Sequence, residues 1–324
     1  MLARHQCATV PLPRQATGRC GISITIRTFR WADLEALASL QSAIGGNSDP
    51  ISSQDLRLWL EIPTVQPELN CFLAFDGETL AGYLQVFPEV PIDNIVANAG
   101  VLPGYRRRGI GRLLIERASN RGVELGVGTI QVSVQESAED AQSFLTALGF
   151  KFVRRYQRMR RGPQPSADPA NAPGVELSRL QEGDHQVLSV LQNASFATHF
   201  GFSPNDPDDI RHRLHLPGTS PEDVVAARKD GEVVAYCWTR VEDGKEGLTG
   251  AVWMTGVQPS HQGTGLGRII LRAGLQHMLA QNVRYIELEV DEENGSARHL
   301  YITEGFEDIH AILWYQKRIR DQTA

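Results

Sequence analysis

The sequence predicts an α/β fold in two tandem domains, each a mixed, mostly antiparallel central sheet flanked by helices. Three observations carry that expectation. First, "VLPGYRRRGIGR" (101–112) and "VQPSHQGTGLGR" (257–268) share Val, Pro, two glycines and the final arginine at one offset of 156 residues. The same offset pairs Ala141 with Ala297 and the Gly-Phe at 149–150 with that at 305–306, which marks duplication of a whole unit. Second, in the second copy an apolar, β-branched run ("AVWMTGVQP", 251–259) precedes the glycines, and residues at helical spacing ("RIILRAGLQHMLAQ", 268–281) follow them. Third, each copy carries antiparallel signals first and a strand–helix–strand order second, the order of a mixed sheet.

The elements run in parallel through the copies. Extended segments 22–27 ("ISITIR") and 175–180 ("VELSRL") lead into helical regions 32–43 and 183–195. Paired strands at 71–87 and 223–241 turn at Asp-Gly-Glu, 76–78 and 230–232, a hairpin signal. Then come a long strand, the glycine loop and a helix. Strands 129–134 and 285–290, helices 138–148 and 295–304, and a last strand after each Gly-Phe complete the units. The expected boundaries are a disordered tail over 1–20, a first domain over 21–161, a Pro/Ala/Gly-rich linker over 162–174 and a second domain over 175–320.

Composition narrows the function classes. A length of 324 residues suits about two domains, and 41% hydrophobic with 22% charged residues is ordinary for a soluble globular chain. No apolar run approaches the ~20 residues that span a bilayer, so no membrane partner is expected. The first twenty residues lack the continuous apolar core of a signal peptide. Cys7, Cys20, Cys71 and Cys237 show no metal-ligand spacing, so a reduced, cytoplasmic setting without metal is expected. The net charge of −6 is concentrated in residues 163–324, with 14 basic against 23 acidic residues. That balance argues against nucleic acid and leaves a solvated acidic surface or a cationic substrate.

A glycine loop between strand and helix is chemistry for phosphate. Missing Cβ atoms admit the ligand, successive N–H groups form an anion nest, and the helix N-terminus adds partial positive charge. A Rossmann site is excluded by spacing: Gly263, Gly265 and Gly267 alternate, but Ile270 stands where its third glycine belongs. No G-x-x-x-x-G-K-[ST] motif occurs, which excludes a P-loop.

The motif Arg106-x-x-Gly109-x-Gly111, repeated as Gln262-x-x-Gly265-x-Gly267, together with "ENGSARHLYITEGF" (293–306), resembles the Gcn5-related N-acetyltransferase (GNAT) superfamily over most of residues 21–320. Tandem copies at this length resemble its mycothiol synthase branch. The resemblance implies an acetyl-CoA-dependent N-acetyltransferase that moves an acetyl group to the primary amine of a small molecule by direct attack on the thioester, working as a monomer or homodimer. A non-catalytic acyl-CoA-binding or sensing module is the alternative.

It also assigns residues. Val257, Gln262, Gly263, Thr264, Gly265, Leu266, Gly267, Arg268, Asn294 and Arg298 would hold CoA in the second copy. Val101, Arg106, Arg107, Arg108, Gly109, Ile110, Gly111 and Arg112 are their counterparts in the first. Tyr301 stands where the family places its general acid, although a packed structural tyrosine is the alternative. The branch pattern puts a glutamate base where this chain has Ala251. Glu287 and Glu289, on one face of the following strand, are substitutes directly or through water, or else surface carboxylates. In the first copy Ala138 and Leu145 replace Asn294 and Tyr301. That copy therefore binds a second, structural CoA or is a scaffold.

Overall fold

A computed structural model describes residues 24–45, 50–169, 173–181, 183–244 and 247–320. The expected tail, 1–20, lies outside these residues, as does part of the expected linker. The first half comprises β1 (Ile24–Thr28), α1 (Leu34–Gly45), α2 (Ser53–Leu60), α3 (Pro67–Asn70), β2 (Cys71–Asp76), β3 (Thr79–Glu89), β4 (Asn94–Val101), α4 (Ile110–Glu124), β5 (Thr129–Gln135), α5 (Glu139–Ala147) and β6 (Lys151–Arg161). The second comprises β7 (Val175–Arg179), α6 (His185–Phe196), α7 (Pro207–Arg213), β8 (Val224–Lys229), β9 (Glu232–Gly244), β10 (Gly247–Val257), α8 (Leu266–Leu279), β11 (Ile286–Asp291), α9 (Gly295–Thr303) and β12 (Glu307–Arg318).

Local chemistry explains the joints. The two Asp-Gly-Glu tripeptides make different turns. Gly77 alone has positive φ (59°) between the paired Asp76 and Thr79, whereas Asp230 (53°) and Gly231 (86°) both do between Lys229 and Glu232. Helices α2 and α7 follow capping signals: Ser52 accepts from Asp55 N–H at 3.0 Å, and Asp206 accepts from Asp208 N–H at 2.8 Å ahead of Pro207.

All twelve strands form one sheet, ordered β1-β2-β3-β4-β5-β12-β6-β11-β10-β9-β8-β7. The last strand of each half lies on the far side of the other's: β12 pairs antiparallel with β5, β6 with β11, and β6 and β12 with each other. The ranges 21–161 and 175–320 are thus continuous along the chain but interleaved in the sheet.

The cores interleave as well. Leu313 and Tyr315 of β12 are buried among Leu114, Ile115, Leu145 and Phe150 of the first half. Met159 of β6 is fully buried among Ile270, Met278 and Leu288 of the second. On the opposite face of the sheet, α1 and α2 cover one half and α6 and α7 the other. Among the described residues no helix is long and apolar enough to cross a membrane, and Cys71 and Cys237 are buried free thiols.

Leu313→Ala tests the interleaving. A buried leucine lost to alanine costs about 2–5 kcal/mol. Hydrogen exchange should rise in α4, in the opposite half of the chain, with a lower urea midpoint. Faster exchange confined to α8 and α9 would contradict the strand order.

Candidate functional site

Both glycine loops have the same backbone. Gly263 and Gly265 have φ of 74° and 84°, and their counterparts Arg107 and Gly109 have 62° and 85°. Helices α8 and α4 start directly after Gly265 and Gly109, and neither N-cap is closed by a side chain. The first N–H groups of each helix therefore have no partner within the cap. A Cβ placed on Gly263, Gly265 or Gly109 meets nothing within 4 Å, so open space lies above the loop, as an anion cradle requires.

The surrounding side chains divide by task. Gln262 Nε2 donates to the Val257 carbonyl at 3.1 Å, and Arg106 Nε donates to the Val101 carbonyl at 3.2 Å. Each brace ties the loop to the end of its strand. Thr264 donates to the His261 carbonyl at 2.7 Å. Leu266 and Ile110 are buried core residues, which anchor the helix starts. Arg268 faces Thr303 and Glu304, Arg298 pairs with Asp308 at 2.5 Å, and Asn294 caps α9 by accepting from Ala297 N–H at 3.2 Å. Arg108 lies 3.9 Å from Asp76 and over the Tyr105 ring. Arg107 and Arg112 have no hydrogen-bond or ion-pair partner among the described residues.

Next to each loop the parallel strands separate. β10 pairs with β11 only at Gly250↔Ile286 and Ala251↔Glu287, and β4 with β5 only from Asn94↔Thr129 to Val96↔Gln131. The remainder of β10 and β4, up to Val257 and Val101, has no strand on that side. The halves differ in one respect. β10 bulges against β9 between Val252 and Met254, while β4 keeps unbroken register with β3. A bulge re-aims the backbone groups around it.

Tyr301 of α9 is 7% exposed and packs edge-on against Phe306 at 5.9 Å. Its hydroxyl has no protein partner among the described residues. Burial, with the nearby Cys237 adding to it, raises its phenol well above the usual range, so it keeps its proton at neutral pH. Its counterpart Leu145 is a buried core residue.

A cleft of about 1800 Å³ opens between the halves on the α1/α6 side of the sheet. Its floor includes Met254, Ala251 and Glu287 from the second half, and Tyr83, Gln85 and Asn98 from the first. One row of the sheet runs Arg240–Ala251–Glu287–Arg160 across β9, β10, β11 and β6. Glu287 thus stands beside Ala251, on the next strand. Its Oε1 accepts from Arg160 at 2.7 and 2.5 Å, and its Oε2 from Arg158 at 2.8 Å. Of roughly four lone-pair sites on a carboxylate, one on Oε2 is left. Glu289 pairs with Arg158 at 3.0 Å and is not part of the cleft lining. The two carboxylates expected to be interchangeable are therefore not equivalent.

Sequence reasoning missed Arg158 and Arg160, because nothing in a local reading sends β6 into the other half. A signal did exist: arginines at 154, 158 and 160 match acids at 287, 289 and 291 in two-residue periodicity.

The model of the acetyltransferase (GNAT) family matches residues 34–150 and 188–306. The chain belongs to this family. Both matches end where the exchanged strands begin. Among curated relatives, the chain is 31% identical to the mycothiol acetyltransferase of Thermobispora bispora over 242 residues, 72% of this chain and 79% of that protein. It is 31% identical to that of Thermobifida fusca over 256 residues, 72% and 77% of the two chains. Among solved structures, a GCN5-related N-acetyltransferase from Sphaerobacter thermophilus superposes with a TM-score of 0.71 at 21% identity, covering 92% of this chain and 96% of its own. A tandem GNAT protein from the clavulanic acid biosynthesis pathway does so with 0.71 at 18%, covering 93% and 100%. The tandem GNAT fold expected from the sequence is the one found, and the chain is an N-acetyltransferase of a family that uses acetyl-CoA.

Gly265→Glu tests the phosphate cradle. The new carboxylate repels phosphate; the left-handed backbone at this position costs about 1–2 kcal/mol, which the favourable helix N-terminus partly offsets. Calorimetry should show CoA affinity at this loop lost in a folded variant. Unchanged affinity would remove the assignment.

Proposed function

We propose that the second half transfers acetyl from acetyl-CoA to the primary amine of a small molecule, by direct attack of that amine on the thioester. The observation that carries this reading is an asymmetry. Splayed strands and a glycine loop occur twice, but the bulge in β10 and Tyr301, a largely buried tyrosine whose hydroxyl has no hydrogen-bond partner among the described residues, occur together only in the second half. Acetyl-CoA supplies the activated acetyl group. The N–H groups of the Gly263–Gly267 loop and the start of α8 bind its phosphates. The exposed edge of β10 up to Val257 aligns its arm.

As the N–C bond forms and the C–S bond breaks, two protons move. Glu287 takes the amine's proton at the free site on Oε2, directly or through water. The Tyr301 hydroxyl gives its own to the departing sulfur. Arg158 and Arg160 hold Glu287 in place. The acceptor lies in the cleft, which at about 1800 Å³ exceeds the ~300–1,000 Å³ of common ligand pockets and so admits more than a minimal amine. The relatives named for mycothiol acetylation fit an acceptor of that kind. The residue ranges 21–161 and 175–320 serve as the two functional units, and the chain works as a monomer or homodimer in the cytoplasm.

Tyr301→Phe should lower kcat about 10²-fold or more, the usual contribution of a positioned acid, with CoA affinity little changed. Glu287→Gln should lower kcat similarly while circular dichroism reports an intact fold. Wild-type turnover in either variant, with chemistry rate-limiting, removes that residue from the mechanism.

The first half binds a second CoA that is not consumed. Arg107 supports this, since it holds the left-handed conformation of Gly263 at a cost of about 1–2 kcal/mol and, with Arg112, has no hydrogen-bond or ion-pair partner among the described residues. Phe144, 3.2 Å from where a Cβ on Gly111 would lie, narrows that site relative to its counterpart. Equilibrium titration should give two CoA per chain, falling to one in Arg107→Glu/Gly109→Glu with acetylation retained. A wild-type stoichiometry of one makes the first half a scaffold.

A further inference from the structure

Four arginines line the cleft, and three of them are neutralised. Arg160 pairs with Glu287, Arg158 with Glu287 and Glu289, and Arg240 with Glu242 at 2.7 Å. Arg213, at the end of α7, has neither a hydrogen bond nor an ion pair among the described residues, and its Nε is sealed from solvent with no acceptor. The closest candidate counter-charge is committed elsewhere. Asp209, one turn earlier and buried, accepts from the Thr64 N–H at 3.3 Å and from the Thr64 hydroxyl. A guanidinium does not give up its proton in a protein, so drawing it partly out of water with no counter-ion paired to it is unfavourable. Burial lowers the Arg213 pKa from its ordinary value while Asp209 opposes that shift, which agrees with a charge short of compensation.

We infer that Arg213 recognises an oxyanion, carboxylate or phosphate, carried by the acceptor, so that the amine acetylated in this cleft belongs to a molecule with an anionic group remote from the nitrogen. The arrangement around it suits this role. α7 meets α2 across the cleft, with His212 Nε2 3.1 Å from the Leu58 carbonyl, and α2 is itself seated on the sheet, the Trp59 ring 5.9 Å from that of Trp253 in β10. Arg213 is thereby fixed on a braced wall and not on a loose loop. A planar fork of donors on such a wall selects an oxyanion over a neutral hydroxyl. The inference rests on the reading of the cleft as the acceptor site.

Glycine oligomers of one to four residues, each with a free or an amidated C-terminus, serve as rulers for the carboxylate. Glucosamine 6-phosphate against glucosamine tests the phosphate. With the wild type, CoA release should favour the anionic member of at least one pair by tenfold or more in kcat/KM. Arg213→Met should erase that preference by raising KM, with kcat for the neutral member unchanged, and Arg213→Lys should restore part of it. A preference in the glycine series identifies a carboxylate, and one in the sugar pair a phosphate. Equal rates within every pair, or a preference that survives Arg213→Met, overturns the inference. If no amine releases CoA, the acetylation reading itself fails. Calorimetric titration of the same compounds into the CoA-loaded protein then decides Arg213 alone: anion binding lost in Arg213→Met supports it, and no binding to the wild type overturns it.

Discussion

The hydrogen bonds between β6 and β12 hold the rest of the molecule in place. Their register, Glu307↔Arg160 at one end and Gln316↔Lys151 at the other, locks the two last strands together while each also pairs into the opposite half. Leu313 and Tyr315 therefore complete the core beneath α4, and Met159 completes the core beneath α8. Burial supplies the stabilisation, since each fully buried large apolar side chain contributes about 1.5–3 kcal/mol. The charged ladder between β6 and β11 acts differently. Arg160 and Arg158 meet Glu287, Arg158 meets Glu289, and Arg154 lies 3.8 Å from Asp291. Cross-strand pairs of this kind contribute only about 0.2–1 kcal/mol each, but a slip of one residue would turn all of them to the wrong face. They fix which strand lies where.

The cleft chemistry depends on the same exchange. Glu287 is 9% exposed, and a buried carboxylate of the second half is held by guanidinium groups that the first half delivers. Neither half contains a complete cleft floor. The loops tell a different story, because each is built within its own half from a strand end, a brace to a carbonyl and an uncapped helix. The same loop geometry thus occurs in both copies, whereas Tyr301 and Glu287 sit in one.

Legibility in the sequence followed the range of the interactions. The repeat, the strand–loop–helix junctions and both hairpins are set by contacts a few residues apart, and they were readable from spacing alone. The resemblance carried by Gln262, Gly265, Gly267 and Tyr301 reached the family. Helices α2 and α7 were not read, although Ser52 and Asp206 announced them. Segment 193–209, most of which has no assignment in the sequence reading, contains the end of α6, the start of α7 and part of the cleft wall from Gly201 to Asp206. The strand exchange was invisible because the last strand of either copy satisfies the same local pattern in both possible places. Only its complementary charges distinguish them. Arg213 carried no signal, since what marks it is the absence of a paired counter-charge among the described residues.

The strand order has one further consequence. Replacing every element by its equivalent in the other half and reading from the opposite edge returns the same order, so a pseudo-two-fold axis passes between β6 and β12. A chain of half this length, paired with a copy of itself about that axis, would close the same sheet and bury the same cores, with two identical active sites. The link between residues 161 and 175 turns that symmetric homodimer into one polypeptide. Once both copies are on one chain, each can change without the other, and Leu145 opposite Tyr301 is such a divergence, open to a fused gene and closed to a dimer of identical subunits.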